Sequence, residues 1–194
     1  MRSQSEIDNA SFSNKAHFAA RRQIYPKIFN VSESQLAFEK IVFENSVRDR
    51  ILDAELGIDC LVRVKVKLFK YPLIFAVQER FRREKYAKYR DITLTEYDLI
   101  SGLPCEFYKL IAGLFLYGYF NDVQNNFSEV ICVSVPSMFF SIISGDLEVQ
   151  RKVKNNDVRP QSFITISFES LEQTGLVLFR QSSIREKEAV EIFI

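Results

Sequence analysis

The alternation of Val62, Val64, Val66 and Leu68 with Arg63, Lys65 and Lys67 constrains the fold more than any other stretch of this chain. Successive side chains of a strand point to opposite faces, so the segment sets an apolar face against a cationic one. Lys70-Tyr71-Pro72 breaks the pattern, and Leu73 to Val77 is then an unbroken apolar run of the kind that a strand covered on both faces shows. Two such strands joined by a short turn pair as an antiparallel hairpin. A hairpin alone is not stable, but a chain of 194 residues is long enough to build a single domain with a real core around it.

The flanking segments supply the rest of that domain, residues 1–194. Residues 1–14 are polar and predict a flexible arm; Lys15 to Ile24 favours helix, limited by Pro26. Ser32 or Ser34 caps a second predicted helix, with Leu36, Phe38, Ile41, Val42 and Phe43 as its apolar stripe and Glu39, Lys40 and Glu44 beside it. Asp91 to Tyr97 alternates as a third strand. Cys105 to Phe120 reads as a mostly buried helix turning into strand near Leu116. Ser128 to Val135 predicts a strand, the segment after Pro136 a short helix, and Phe163 to Phe168 a late strand; Leu171 to Phe179 is helix or strand. The polar stretch 144–162 predicts a mobile loop. The fold class is α/β (α+β), a central mixed β-sheet flanked by helices.

Charge is unevenly spread. Residues 63–90 hold 10 Lys/Arg against 2 Asp/Glu, whereas residues 91–194 hold 8 against 14. A local anionic partner accounts for such a window; a solvated basic face is the plainer alternative. Within it, Arg82, Arg83, Lys85, Lys88 and Arg90 interleave with Phe81, Tyr86 and Tyr89, a composition suited to phosphates and to stacked bases. Lys65 and Lys67 extend the cationic surface onto the first strand. Cys60, Cys105 and Cys132 stand alone, which argues against a zinc site or a disulfide framework and for a reducing compartment. No run approaches the roughly 18 apolar residues of a membrane span, and the first residues have no apolar signal core. The expected location is cytoplasmic. The single histidine, His17, is expected to be a surface or packing residue.

Gly57-Ile58-Asp59 at the head of the first strand, Gln78-Glu79-Arg80 at the end of the second and a preceding glutamate form a pattern that resembles the core of the PD-(D/E)XK nuclease superfamily. It is most similar to the branch ending Gln-x-Lys, found in Mrr-type restriction enzymes and in phage and archaeal-virus nucleases. The match runs from about Glu39 to Tyr119. The resemblance implies a restriction-endonuclease-like core, Mg²⁺ or Mn²⁺ as cofactor, DNA as partner, pairing into a homodimer as an option, and the host cytoplasm for a phage or viral protein. Asp59 takes the place of the metal-binding aspartate, Gln78 of the acid, Arg80 of the usual lysine, and Glu39, or Glu44, of the helix glutamate.

The chemistry can be stated from the residues themselves. Phosphodiester hydrolysis needs a hard cation held by a few oxygens with room for water and substrate. Asp59 offers charge, Gln78 a neutral carbonyl, Glu79 its backbone carbonyl, and Glu39 a further carboxylate; Arg80 offsets charge developing on phosphate oxygens. Gln78 and Arg80, two apart on a strand, share a face, whereas a bulge would turn Glu79 inward in place of Gln78. Arginine stays protonated, so Arg80 cannot act as a base. Glu96 is a lesser candidate for the site acid, an exposed strand acid being the favoured reading, and Tyr108-Lys109 is expected to put a cation beside the site. Three functions remain open: a metal-dependent deoxyribonuclease, a nucleic-acid-binding or recombination accessory protein with a degenerate site, and a protein-interaction domain with an incidental basic face.

Overall fold

The structure is a computed structural model and describes residues 4–42, 45–154 and 160–183. Helix α1 spans Gln4–Gln23 and places Phe12, Ala16, Ala19 and Ala20 on one buried stripe. A five-residue helix α2, Tyr25–Phe29, follows; Pro26 sits in its first turn, where a missing N–H costs nothing. The predicted arm is therefore mostly helix.

Nor is the predicted helix after Ser32 present. A 3-10 turn at Glu33–Gln35 leads into strand β1, Leu36–Lys40, which pairs antiparallel with β2, Cys60–Val64. Leu36 and Phe38, two apart, pack on the cluster under α1 and α2, so tertiary pairing overrides the helical spacing. Residues 43 and 44 lie outside the described set, Glu44 among them. Between β1 and β2 come the short helix α3, Val47–Arg50, and a π-turn at Ile51–Glu55.

Strand β3 runs from Leu73 to Arg83, well past the apolar run, and pairs antiparallel with β2. A 3-10 segment, Glu84–Tyr89, turns the chain into β4, Asp91–Asp98. The predicted helix over 105–116 shrinks to α4, Glu106–Lys109, and the rest is β5, Leu114–Asn121, parallel to β3. Seven consecutive buried residues, Leu114 to Phe120, show why periodicity misled: a strand covered on both faces has none. Strand β6 is Asn126–Ser134, and helix α5, Val135–Ser144, is opened by the Ser134 side chain accepting from the Ser137 N–H. The expected loop 144–162 contains strand β7, Gln150–Lys154, paired with β8, Gln161–Ser167; residues 155–159 are outside the described set. Helix α6, Phe168–Gln173, and strand β9, Val177–Ser182, complete the described chain.

A six-stranded mixed sheet, ordered β1-β2-β3-β5-β6-β9, forms the centre, and β4-β8-β7 form a smaller antiparallel sheet. On one face of the large sheet, α1 and α2 bring Phe12, Ala16, Ile24 and Tyr25 onto Cys60, Val62, Val77, Leu116 and Phe120. On the other, Phe115, Tyr117, Ile131 and Val133 pack with Ile92, Leu94, Ile164 and Ile166 of the small sheet and with Met138 and Leu171. The fold is mixed α/β, with β3 an interior strand of the large sheet.

Candidate active site

Main-chain geometry fixes Asp59 before its side chain is considered. Gly57 has φ +55°, and a Cβ there would stand 3.3 Å from Leu110 Cα, so both conformation and space call for glycine. The Asp59 N–H donates to Val77 O (3.0 Å), and its carbonyl accepts from Ile41 N–H (2.8 Å). Cys60 stands opposite Val77, so Asp59, one step earlier, stands opposite Gln78. Asp59, Gln78, Arg80 and Arg82 therefore share a face, and neither pairing of β3 contains a bulge. Gln78, not Glu79, accompanies Asp59.

Asp59 Oδ2 accepts a hydrogen bond from the Glu79 main-chain N–H at 2.7 Å. Burial pushes the Asp59 carboxyl up from 3.8 to about 6, against the pull of that bond; the negative charges of Glu79 and Asp53 act in the same direction as burial. Gln78 Oε1 is buried and has no hydrogen-bond partner. A Cβ on Gly57 would stand 3.5 Å from that oxygen, which places it at the Gly57–Asp59 entry to β2. An unsatisfied buried carbonyl beside a carboxylate that resists desolvation is a donor pair suited to a hard cation.

Glu79 points the other way. Its carboxylate accepts from the Tyr25 hydroxyl (2.7 Å) and lies 2.7 Å from His17 Nδ1. Tyr25 is fully enclosed, and burial, more than the adjoining Glu79, holds its phenol well above the usual range. The side chain of Glu79 is thus committed to clamping α1 and α2 onto β3, and His17 is the partner of a buried acid rather than a mere packing residue.

Glu39 does not complete the shell. It lies on a strand instead of a helix, and its two oxygens accept from Arg48 (2.6 Å) and Arg63 (3.0 Å). Those bonds hold its carboxyl below the ordinary range. Among the described residues no group of three or more His, Cys, Asp or Glu side chains is arranged for a metal ion. A cation here would rest on Asp59 and Gln78, with water or substrate oxygens filling the remaining positions, as Mg²⁺ commonly accepts. These two residues fit that role; the side chains of Glu39 and Glu79 do not.

The basic window divides by face. Arg80 forms an ion pair with Glu106 of α4. Arg82 donates to Thr93 Oγ1 (3.2 Å) and lies over the Tyr86 ring at 4.5 Å. Both line a cleft of about 550 Å³ between β3 and the small sheet, with Lys152 and Lys154 on its far side. Arg83 turns to the α1 face, pairing with Asp122 and lying over Phe12. Lys85 and Lys88 are exposed beside Tyr86 and Tyr89. Arg90 has φ +45° and lies 3.6 Å from buried Glu129, which removes it from the expected track. Lys65 and Lys67 follow the end of β2, about 20 Å of strand away from Asp59.

Several residues escaped sequence reasoning. Lys152 and Lys154 were hidden in a stretch read as loop. Glu106 opens the one-turn helix α4 and Asp53 lies in the π-turn, elements too short to carry a periodic signal. Glu96 is buried, not exposed, and bonds Tyr108 and Arg151. Tyr108 is thereby occupied away from Asp59. Cys60, Cys105 and Cys132 are free thiols, and no helix among the described residues is long and apolar enough to cross a membrane. Comparison with protein-family models, with curated proteins and with solved structures returns no match.

Proposed function

We propose that this chain is a metal-dependent nuclease that hydrolyses phosphodiester bonds in DNA. The observation that carries the reading is the pairing of Asp59 with the unpartnered Gln78 oxygen on one face of β3, directly before Arg80 and the cationic cleft. Asp59 and Gln78 would hold a Mg²⁺ or Mn²⁺ ion, which supplies Lewis acidity toward phosphate and water. Arg80 and Arg82 would bind and orient the phosphate backbone by charge-assisted hydrogen bonds. The resemblance of Gly57-Ile58-Asp59 and Gln78-Glu79-Arg80 to the PD-(D/E)XK pattern supports the same reading, as does the mixed sheet flanked by helices.

A second reading, DNA binding without hydrolysis, is favoured by Arg80. It is permanently charged and engaged by Glu106, so it cannot take a proton from water. Labelled single-stranded and duplex DNA incubated with the protein in Mg²⁺, Mn²⁺ or EDTA separates the two. The nuclease reading expects cleavage with metal, none in EDTA, and none from Asp59→Asn. Cleavage unchanged by Asp59→Asn overturns it, and binding without cleavage in either metal selects the second reading.

A further inference from the structure

We infer that the outer face of the small β4-β8-β7 sheet, together with the end of β3, is a platform for single-stranded nucleic acid, on which Phe163 and Tyr89 stack bases while Arg82, Lys152 and Lys154 hold phosphates. The inference rests on the nucleic-acid reading above and names the strand form that the site takes.

The two faces of the small sheet have different uses. Ile92, Leu94, Ile164 and Ile166 point into the core and account for its folding. The opposite face carries Thr93, Thr95 and Thr165 with Phe163 among them, opposite Thr95 on one side and Lys152 on the other. Phe163 lines the cleft and belongs to neither apolar core, so packing does not explain a phenyl ring on this hydroxyl-rich surface. Tyr89, at the end of the 3-10 segment, lines the same cleft and is 55% exposed. Two aromatic rings on a polar surface are the part of a nucleic-acid site that selects unpaired bases, because a ring face must be free to accept stacking.

The cations complete the argument. The cleft is lined by Arg82, Lys152 and Lys154 and by Arg80, which is paired with Glu106, against one lining carboxylate, Asp91. Lys152 and Lys154, two apart on β7, point to the side that Phe163 and Gln161 occupy on β8. Arg82 is held by a threonine hydroxyl and a tyrosine ring, which orient the guanidinium without neutralising it. From Gln161 to Thr165 the platform is about 13 Å long, room for a few nucleotides of an extended strand. Arg80 lies at the junction with Asp59 and Gln78, so a strand lying on the platform is led to the candidate cation site. A duplex keeps its bases paired and offers Phe163 no ring face.

Fluorescence anisotropy in EDTA, with labelled 12-mer single-stranded DNA, single-stranded RNA of the same sequence, and blunt duplex DNA, tests this. Single strands are expected to bind at least about tenfold more tightly than duplex. Loss of one stacked base in Phe163→Ala or in the more exposed Tyr89→Ala lowers single-strand affinity roughly five- to a hundredfold. The double variant Lys152→Ala/Lys154→Ala weakens binding and flattens its salt dependence. The DNA and RNA arms state which sugar the platform takes. Equal affinity for duplex and single strands, with Phe163→Ala and Tyr89→Ala both silent, overturns the platform. Absence of all binding also overturns the platform, while metal-dependent, Asp59-dependent cleavage of DNA alongside either result leaves the nuclease reading in place.

Discussion

Asp59→Asn is expected to make the protein more stable at pH 8 while abolishing the proposed chemistry. The carboxyl is pushed from 3.8 up to about 6, chiefly by burial, so the folded protein binds a proton there more tightly than the unfolded chain does. This term favours the native state at low pH. It declines as pH rises from about 4 to about 6, and above that the full cost of a charged, partly desolvated carboxylate is carried. At about 1.4 kcal/mol per pH unit the gap is worth at most about 3 kcal/mol. Partial exposure of Asp59 to water reduces that to about 1–2 kcal/mol. Asparagine keeps an oxygen to accept the Glu79 N–H and has no charge to desolvate.

Thermal unfolding of both proteins in EDTA at pH 8 and pH 4 measures the difference. A gain of about 1–2 kcal/mol raises Tm by roughly 2–8 °C for a chain of this size. The gain should largely vanish at pH 4, where the wild-type carboxyl is protonated in the folded protein. Adding Mg²⁺ at pH 8 should raise the wild-type Tm by mass action and leave the variant unmoved. A variant less stable than wild type at pH 8, or a difference that is the same at both pH values, refutes the reasoning from desolvation.

Other perturbations address the supports of the site. Glu79→Ala strips Tyr25 and His17 of a shared acceptor and leaves a cavity beneath α1; a loss of about 2–4 kcal/mol is expected in denaturant unfolding, with Glu79→Gln costing less. Glu129, fully buried, pairs with Arg180 and faces Arg90, so Glu129→Ala leaves Arg180 with Glu172 as its one acidic partner and should cost about 1–3 kcal/mol by the same measurement. Gly118→Ala places a Cβ 3.0 Å from the Phe127 ring and 3.2 Å from Glu129 O, and overpacking of about 1–3 kcal/mol should appear as a lower urea midpoint.

How legible the site was depended on whether one strand's own alternation decided a residue's place. Asp59 and Gln78 were readable together because period two through the hairpin needs no knowledge of distant chain. Glu39 was misplaced because Leu36, Phe38 and Ile41 fit a helix about as well as a strand, and only pairing with β2 decides between them. Lys152 and Lys154 were lost for a related reason: β7 is exposed throughout, so its sequence has the polarity of a loop. The partner of Glu79 was also out of reach, since His17 lies 62 residues away and no local pattern joins them.

The alternation that brings Gln78 to Asp59 necessarily sends Glu79 to the opposite face. There a carboxylate becomes structural, and its main-chain N–H is left to hold Asp59. The Gln-Glu-Arg tripeptide therefore assigns its charged acid to folding and its neutral amide to the face that Asp59 shares. A cation held by one carboxylate and one amide binds weakly without substrate, and its retention should depend on phosphate oxygens supplied by the bound strand. Mg²⁺ titration of the wild-type protein with and without a non-hydrolysable phosphorothioate oligonucleotide tests that coupling. Apparent metal affinity should rise at least about tenfold with the oligonucleotide present, and equal affinity in both titrations refutes the division of labour assigned to β3.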